Sequence, residues 1–374
     1  MNQTSPTPLA PEHAVELLGI DHVEYWVGNA KQAAYYYKHA FGFQIVGYAG
    51  PETGRKGVVS YALQQNDIFF VLTTSLTPEG PIAEHVRLHG DGVRDIVFRV
   101  KDVQVAYDKL IKNGATSVMA PTVREDANGR VTLATIATYG DTVHTLINRE
   151  DYAGPFLPQF EARETPAPVA GGLGRIDHIV GNVGWNEMGK WVDHYAKIFG
   201  WHQFVSFDDK DISTDFTALR SVVVANPNEI IKFPINEPAE GKKKSQIEEY
   251  IDFYHGPGVQ HLALTTADIC ETVARLKANG VEFLEPPEAY YEHLAERLVG
   301  VDFKEDIERL KPLGILVDHD EKGYLLQIFT KPVTDRPTLF YEIIQRKGSD
   351  SFGKGNFKAL FEAIEAEQGR RGNL

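Results

Sequence analysis

The chain has 374 residues, 43% apolar and 24% charged, with a formal charge of −14 and a single cysteine, Cys270. That length exceeds one ordinary core and predicts about two domains of roughly 150 to 200 residues. The acidic balance argues against a nucleic-acid partner, which needs clustered Lys and Arg; the one basic run, Lys242 to Lys244, reads as a solvated loop. A lone cysteine excludes an internal disulfide and a cysteine-based zinc site, and fits a reducing compartment. The N-terminus has no basic region followed by an apolar run, and nothing approaches the ~18 apolar residues of a membrane span. A cytoplasmic protein with no membrane partner is expected.

In chain order, "GIDHVEYWVGN" (19 to 29) predicts a strand, and the helix that follows ends at Phe41-Gly42 before another strand. "DGVRDIVFRVKDVQVAYDKLIKNGA" (91 to 115) predicts a strand and a helix closing on Asn-Gly. "GPFLPQFEARETPAPVAGGLG" (154 to 174), rich in Pro and Gly, reads as a linker. "RIDHIVGNVG" (175 to 184) then repeats the first strand, its helix ending at Phe199-Gly200. "PGVQHLALTTADICETVARLKANGV" (257 to 281) repeats the third segment, and Asp268 with Glu271 predicts a capping box. The chain thus holds four strand-helix-strands units in two domains. A doubly wound parallel sheet would require a Gly-rich phosphate loop after the first strand, and "VEYWVGN" is not one.

Superposing the repeats singles out candidate ligands. The C-terminal half carries His178 and His261 on the strands that begin its modules and Glu342 in the late strand "TLFYEIIQR"; the N-terminal half has His22, Asp95 and Thr145 in their places. Two histidines and a carboxylate with open positions suit a non-haem Fe(II) oxygenase, and nitrogen and oxygen donors also suit Zn²⁺. Alternation puts Phe340, Glu342 and Ile344 on one strand face, where an unpaired charge is costly. His22 then reads as a product of duplication with a structural role, packing where the N-terminal modules meet. His85, His89, His194, His202, His255, His293 and His319 have no partners at telling spacing and read as surface or packing residues.

The paired βαβββ modules resemble the vicinal-oxygen-chelate superfamily. That implies an α+β fold of two domains, each a pair of βαβββ modules forming an open curled-sheet barrel with flanking helices. More specifically, "PINEP" (234 to 238), "KSQIEEY" (244 to 250), "GPGVQHLAL" (256 to 264), "LLQIFTKPVTDRPTLFYEIIQRKG" (325 to 348) and "FGKGNFKALFEAIE" (352 to 365) resemble the 4-hydroxyphenylpyruvate dioxygenase family. The resemblance runs from about residue 17 to 368. It implies an Fe(II) enzyme of tyrosine catabolism that turns 4-hydroxyphenylpyruvate and O₂ into homogentisate and CO₂. The reaction combines oxidative decarboxylation, ring hydroxylation and side-chain migration. The oxo acid is part of the substrate, so no separate 2-oxoglutarate is implied.

By the same resemblance His178, His261 and Glu342 bind iron, and the substrate contacts are Ser221, Pro234, Asn236, Gln246, Gln260, Gln327, Phe329, Phe340, Phe357 and Phe361. Gln327, Gln246 and Asn236 are the expected catalytic polar groups. "LRSVVVANPNEIIKFPIN" predicts a hairpin with Ser221 opposite Pro234 and near Asn236. Gln327 and Phe329 share a strand face, and Phe357 and Phe361 share a helix face. Alternation points Gln260 away from the face of His261. "GKGNF" (353 to 357) lacks the spacing of a phosphate loop and reads as a hinge before a closing helix. The expected organisation is a tail (1–16), a metal-free N-terminal domain (17–153), the linker (154–174) and a catalytic C-terminal domain (175–374), in a homo-oligomer. The rival readings are 4-hydroxymandelate synthase, with the same ligands and substrate, and a metal-free binding module of the superfamily.

Overall fold

The computed structural model describes residues 13–163, 166, 171–209, 213–214 and 216–373. The expected tail up to residue 12, and residues 164–165 and 167–170 of the expected linker, lie outside them.

Local chemistry sets the punctuation. The strand β1 (Gly19–Trp26) gives way to α1 (Ala30–Ala40), whose cap Asn29 accepts from the Gln32 N–H at 3.1 Å. The strands β2 (Gln44–Ala49), β3 (Val58–Gln65) and β4 (Ile68–Ser75) complete the first module. After α2 (Pro81–His89), the second module is β5 (Gly92–Arg99), α3 (Val103–Lys112), β6 (Ser117–Asp126), β7 (Gly129–Ala137) and β8 (Val143–Asn148), with Asp102 capping its helix. A two-residue β9 (Glu161–Ala162) leads to the third module: β10 (Leu173–Asn182), α4 (Met188–His194), β11 (His202–Phe207), β12 (Ala218–Ala225) and β13 (Lys232–Ala239). Here the helix runs on as a π turn, Tyr195–Phe199, and stops at Gly200 with φ +73°.

Following α5 (Gln246–Tyr254), the fourth module is β14 (Gly258–Thr266), α6 (Ile269–Ala278), the short helices α7 (Ala289–Glu292), α8 (Leu294–Arg297) and α9 (Ile307–Leu310), then β15 (Leu316–Asp320), β16 (Gly323–Phe329) and β17 (Phe340–Lys347). The helix α10 (Phe357–Arg370) closes the chain. Only half of the expected box forms on α6: Asp268 accepts from the Glu271 N–H at 2.9 Å, while the Glu271 carboxylate pairs with Arg275.

The strands assemble into two sheets of matching design. One has the order β6-β7-β8-β5-β1-β4-β3-β2-β9 and the other β11-β12-β13-β10-β14-β17-β16-β15. The strands that begin paired modules, β1 with β5 and β10 with β14, are antiparallel neighbours at the centre. Each also lies parallel to the last strand of a module, as β14 does to β17. A βαβββ repeat thus places its first and last strands side by side. That juxtaposition lets side chains far apart in sequence converge.

Three expectations need correction. The stretch after residue 154 is not a simple linker: Phe156 and Phe160 are buried with Ala49, Ala62 and Val71 of the first sheet, and β9 pairs with β2. Its Pro and Gly content masked three large apolar side chains, Phe156, Leu157 and Phe160, with core to fill. Nor do all the remaining histidines lack partners. Buried His89 bonds Asp141 at 2.9 Å and contacts the Tyr254 carbonyl, while His85, also buried, packs on Trp26 and His89. Finally, Ser221 pairs with Asn236, and Pro234 with Val223, because the hairpin between Ala225 and Lys232 is a longer turn held by Asn226.

Candidate metal centre

His178 lies on β10, His261 on β14 and Glu342 on β17, three adjacent strands. In register His178 opposes Ala263, and Ala263 opposes Glu342. The Nε2 atoms of His178 and His261 stand 3.2 and 3.6 Å from Glu342 Oε2, and one ligand atom from each residue falls within 4.8 Å of the others. All three residues are buried. Among the described residues no other group of three His, Cys, Asp or Glu converges in this way.

Two β-bulges aim the imidazoles. The pairing of β10 with β14 skips a residue at Asp177 and again at Gln260. A bulge breaks alternation and re-aims the side chains beside it. Each extra residue then reaches the neighbouring ring: Asp177 Oδ1 accepts from His178 Nδ1 at 2.9 Å, and Gln260 Oε1 from His261 Nδ1 at 3.0 Å. With the proton held at Nδ1, each Nε2 presents a lone pair, as metal-binding histidines require. Alternation along β14 misdirected Gln260 because the bulge falls on that residue.

Charge follows the same geometry. Burial alone would raise the Glu342 carboxyl, but His178 and His261 hold it below the ordinary carboxylate range. Burial would depress His178, yet Glu342 and Asp177 lift it above the usual imidazole value; His261 stays depressed by burial. Asp177, which burial would raise, is held far below normal by His178 and Arg346. No described residue lining the cavity over these groups is Lys or Arg. A buried carboxylate between two imidazole lone pairs therefore fits a divalent cation, and two nitrogens with one oxygen suit Fe(II).

The cavity brings together most of the expected contacts. Ser221, Pro234, Asn236, Gln246, Gln260, Phe329, Phe340, Phe357 and Phe361 line it. Phe340 stacks on His261 at 4.7 Å and Phe329 meets that ring edge-on at 6.0 Å. Asn236 Nδ2 donates to Asn182 Oδ1 at 3.3 Å, and Gln260 Nε2 to Gln246 Oε1 at 3.4 Å. Gln327 is the exception. It is buried but not on the wall, and its amide lies under Gly353, where an added Cβ would come within 2.3 Å of Nε2.

The wall also holds Val180, Phe207, Leu219, Val223, Phe352 and Leu360, which sequence reasoning did not name. Period two from His178 and Ser221 would have found Val180 and Val223. Phe207 is placed only by its cross-strand pairing with Ser221.

The N-terminal sheet has the counterpart positions, and among the described residues they form no metal-ligand cluster. His22 Nδ1 bonds Asp21 Oδ1 at 2.8 Å, and its ring meets Phe156 edge-on at 5.1 Å. Asp95 accepts from both the N–H and the hydroxyl of Thr145. Burial pushes the Asp95 carboxyl up to about 7, with Glu24 adding to the rise and the Thr145 hydroxyl opposing it.

The comparisons agree with this geometry. The Glyoxalase/Bleomycin resistance protein/Dioxygenase superfamily matches residues 19–138 and 175–328. The chain is 49% identical over 395 residues to 4-hydroxyphenylpyruvate dioxygenase of Coccidioides posadasii, covering 99% of this chain and 98% of that one. Identity to the proteins of the same name from Dictyostelium discoideum and Danio rerio is 50% each, covering 95% and 96% of this chain and 100% and 93% of theirs. Among solved structures, a mutant 4-hydroxymandelate synthase from Streptomyces coelicolor superposes with a TM-score of 0.84 at 33% identity, covering 94% of this chain and 99% of that chain. The chain belongs to the Glyoxalase/Bleomycin resistance protein/Dioxygenase superfamily and, within it, to the 4-hydroxyphenylpyruvate dioxygenase family.

Proposed function

We propose that the protein is an Fe(II)-dependent dioxygenase that converts 4-hydroxyphenylpyruvate and O₂ to homogentisate and CO₂. The observation that carries this reading is the convergence of His178, His261 and Glu342 under an aromatic and amide-lined cavity. Full-length identity to enzymes of that name supports it. Bound at these donors, Fe(II) supplies the one-electron chemistry that lets O₂ react with a closed-shell acid. The atoms balance without a second oxo acid: one oxygen enters the carboxylate left when CO₂ departs, the other enters the ring, and the side chain moves to the adjacent carbon.

The chain's own residues bind, orient and shield. A dication with one carboxylate leaves a single positive charge, which an anionic 2-oxo acid neutralises, so burial of the complex is affordable electrostatically. The amides of Asn236, Gln246 and Gln260 and the Ser221 hydroxyl offer hydrogen bonds to the substrate's oxygens. Phe329 and Phe340 flank His261 and restrict where an aromatic ring can lie, which is how orientation lowers a barrier. Phe207, Phe357 and Phe361 keep water from the reacting groups. Gln327 lies beneath Gly353, off the cavity wall. Their position on the cavity wall supports Asn236 and Gln246, more than Gln327, as the groups that contact substrate.

Hydroxymandelate formation from the same substrate is the competing outcome. The bulk of Phe329 beside His261 supports the ring-hydroxylating reaction. A metal-free binding module would have no use for three converging ligands. Anaerobic loading with Fe(II), O₂ uptake with 4-hydroxyphenylpyruvate and identification of the product test the assignment. Homogentisate is expected; 4-hydroxymandelate, or no iron binding, would overturn it. We further propose a cytoplasmic homo-oligomer, measurable by sedimentation. No helix among the described residues is long and apolar enough to cross a membrane, and the lone Cys270 fits a reducing compartment.

A further inference from the structure

The same four-residue arrangement is built twice. In the C-terminal half Asp177 holds His178 Nδ1, and Arg346 grips Asp177 with Nε at 2.9 Å and Nη2 at 2.7 Å. The remaining nitrogen of that guanidinium, Nη1, donates to the carbonyls of Ser349 at 3.1 Å and Ser351 at 2.7 Å. Its plane covers Phe352, whose ring meets His178 edge-on at 5.0 Å. In the N-terminal half Asp21 holds His22, and Arg149 binds Asp21 Oδ2 at 3.0 Å and the Phe156 carbonyl at 3.2 Å. Arg149 likewise covers the Phe156 ring that meets His22. Both aspartates sit at a bulge: β1 against β5 skips Asp21 as β10 against β14 skips Asp177.

Among the described residues the N-terminal copy has no cluster of metal ligands, so metal orientation alone does not explain the arrangement. What the two copies share is a clip that ties the segment after the last strand back onto the first strand of the same sheet. In the C-terminal half that clip grips a ring whose other nitrogen is a metal ligand. We propose that Asp177 and Arg346 are positioning residues that couple metal binding at His178 to the order of residues 349–352, the strap ahead of Gly353 and α10. This rests on the metal reading above and assigns that site a partner outside its three ligands. Because linkage is reciprocal, whatever orders the strap must tighten metal binding by the same factor. Outer partners of a metal-bound histidine are worth about 10- to 100-fold in affinity.

The test uses the full chain, anaerobic Fe(II), a binding isotherm and hydrogen exchange of the peptide covering 348–356. In the unchanged protein Fe(II) should bind and slow exchange there. Arg346→Gln should weaken Fe(II) about 10-fold and abolish the metal-dependent protection, and Arg346→Lys, able to hold Asp177 or the strap but not both, should recover affinity only in part and without the protection. Arg149→Gln should loosen residues 154–160 while leaving Fe(II) affinity unchanged. Unaltered affinity in Arg346→Gln, or metal-dependent protection that survives it, overturns the coupling. Should Arg346→Gln fail to fold, the Lys variant decides: protection at the level of the unchanged protein sinks the idea. Absence of Fe(II) binding in the unchanged chain would instead defeat the metal reading itself.

Discussion

At the scale of single residues, the two histidines that begin the halves do different work from nearly identical surroundings. His178 and His22 each give Nδ1 to an aspartate and face a phenylalanine from the following segment. His178 stands 3.2 Å from the Glu342 carboxylate on β17; the position matching Glu342 in the first half is Thr145, whose hydroxyl and N–H donate to Asp95. Glu342→Ala removes the one anionic ligand from two neutral imidazoles. It should cut Fe(II) affinity by at least about 100-fold and abolish turnover with the fold intact, since metal sites depend on their charged donors. His22→Ala should cost about 1–3 kcal/mol of stability through the lost bond to Asp21 and the lost ring packing, with iron content and turnover nearly unchanged. Iron content by elemental analysis and a denaturant titration read both. Loss of iron in folded His22→Ala protein would show that the first half holds metal after all.

Among the elements, α10 carries the clearest functional consequence. Phe357, Leu360 and Phe361 from one stretch of this helix line the cavity, and Phe357 meets Phe207 edge-on at 5.1 Å. Its far end is latched to α5, where Arg371 and Asn373 bond Glu249 at 2.7 and 2.8 Å. Its middle is tied by Glu365 to the hydroxyls of Thr214 and Thr217. Gly353, at φ +76° and packed on Gln327, lies just ahead of the helix in a conformation that favours glycine. Deleting residues 353–374 removes the cover but keeps every ligand and the strap at 349–352. The truncated protein should bind Fe(II) normally, form less than about a tenth of the homogentisate, and consume O₂ without matching product, because a closing element excludes water and completes a site. Full, coupled activity in that sample would show that α10 is no lid.

Across the whole molecule, one apolar core serves both sheets. The Tyr341 hydroxyl of the second sheet is hydrogen-bonded to those of Tyr37 at 2.8 Å and Tyr25 at 3.1 Å in the first half, and Phe98 stacks on Phe233 across the same boundary. A half produced alone would expose those rings as a large apolar patch. Residues 171–374 by themselves should therefore aggregate or lack a cooperative melt, while the full chain unfolds in one calorimetric transition. Two separate transitions in the full chain would mean that the shared core contributes little. The duplication that supplied the fold also tied its halves together, although among the described residues only one carries the converging ligand set.

What the sequence determined by itself follows from local periodicity and repetition. Matching repeated segments marked β1, β5, β10 and β14; Phe-Gly and Asn-Gly marked the helix ends; superposing the units brought His178, His261 and Glu342 into equivalent positions before any contact was known. Those features depend on neighbouring residues or on equivalent places in a repeat, so one chain suffices to read them. The tertiary structure alone decided whatever breaks a period or spans a long separation. The bulge at Gln260 turned that amide to His261, against alternation. The longer hairpin shifted Ser221 to face Asn236. Phe156 filled a core that Pro and Gly content had concealed. Gln327 went under Gly353 rather than into the cavity, because the final position of a side chain depends on which segment packs over it. Asp177 and Arg346 lie 169 positions apart and meet only because β10, β14 and β17 are neighbours in one sheet.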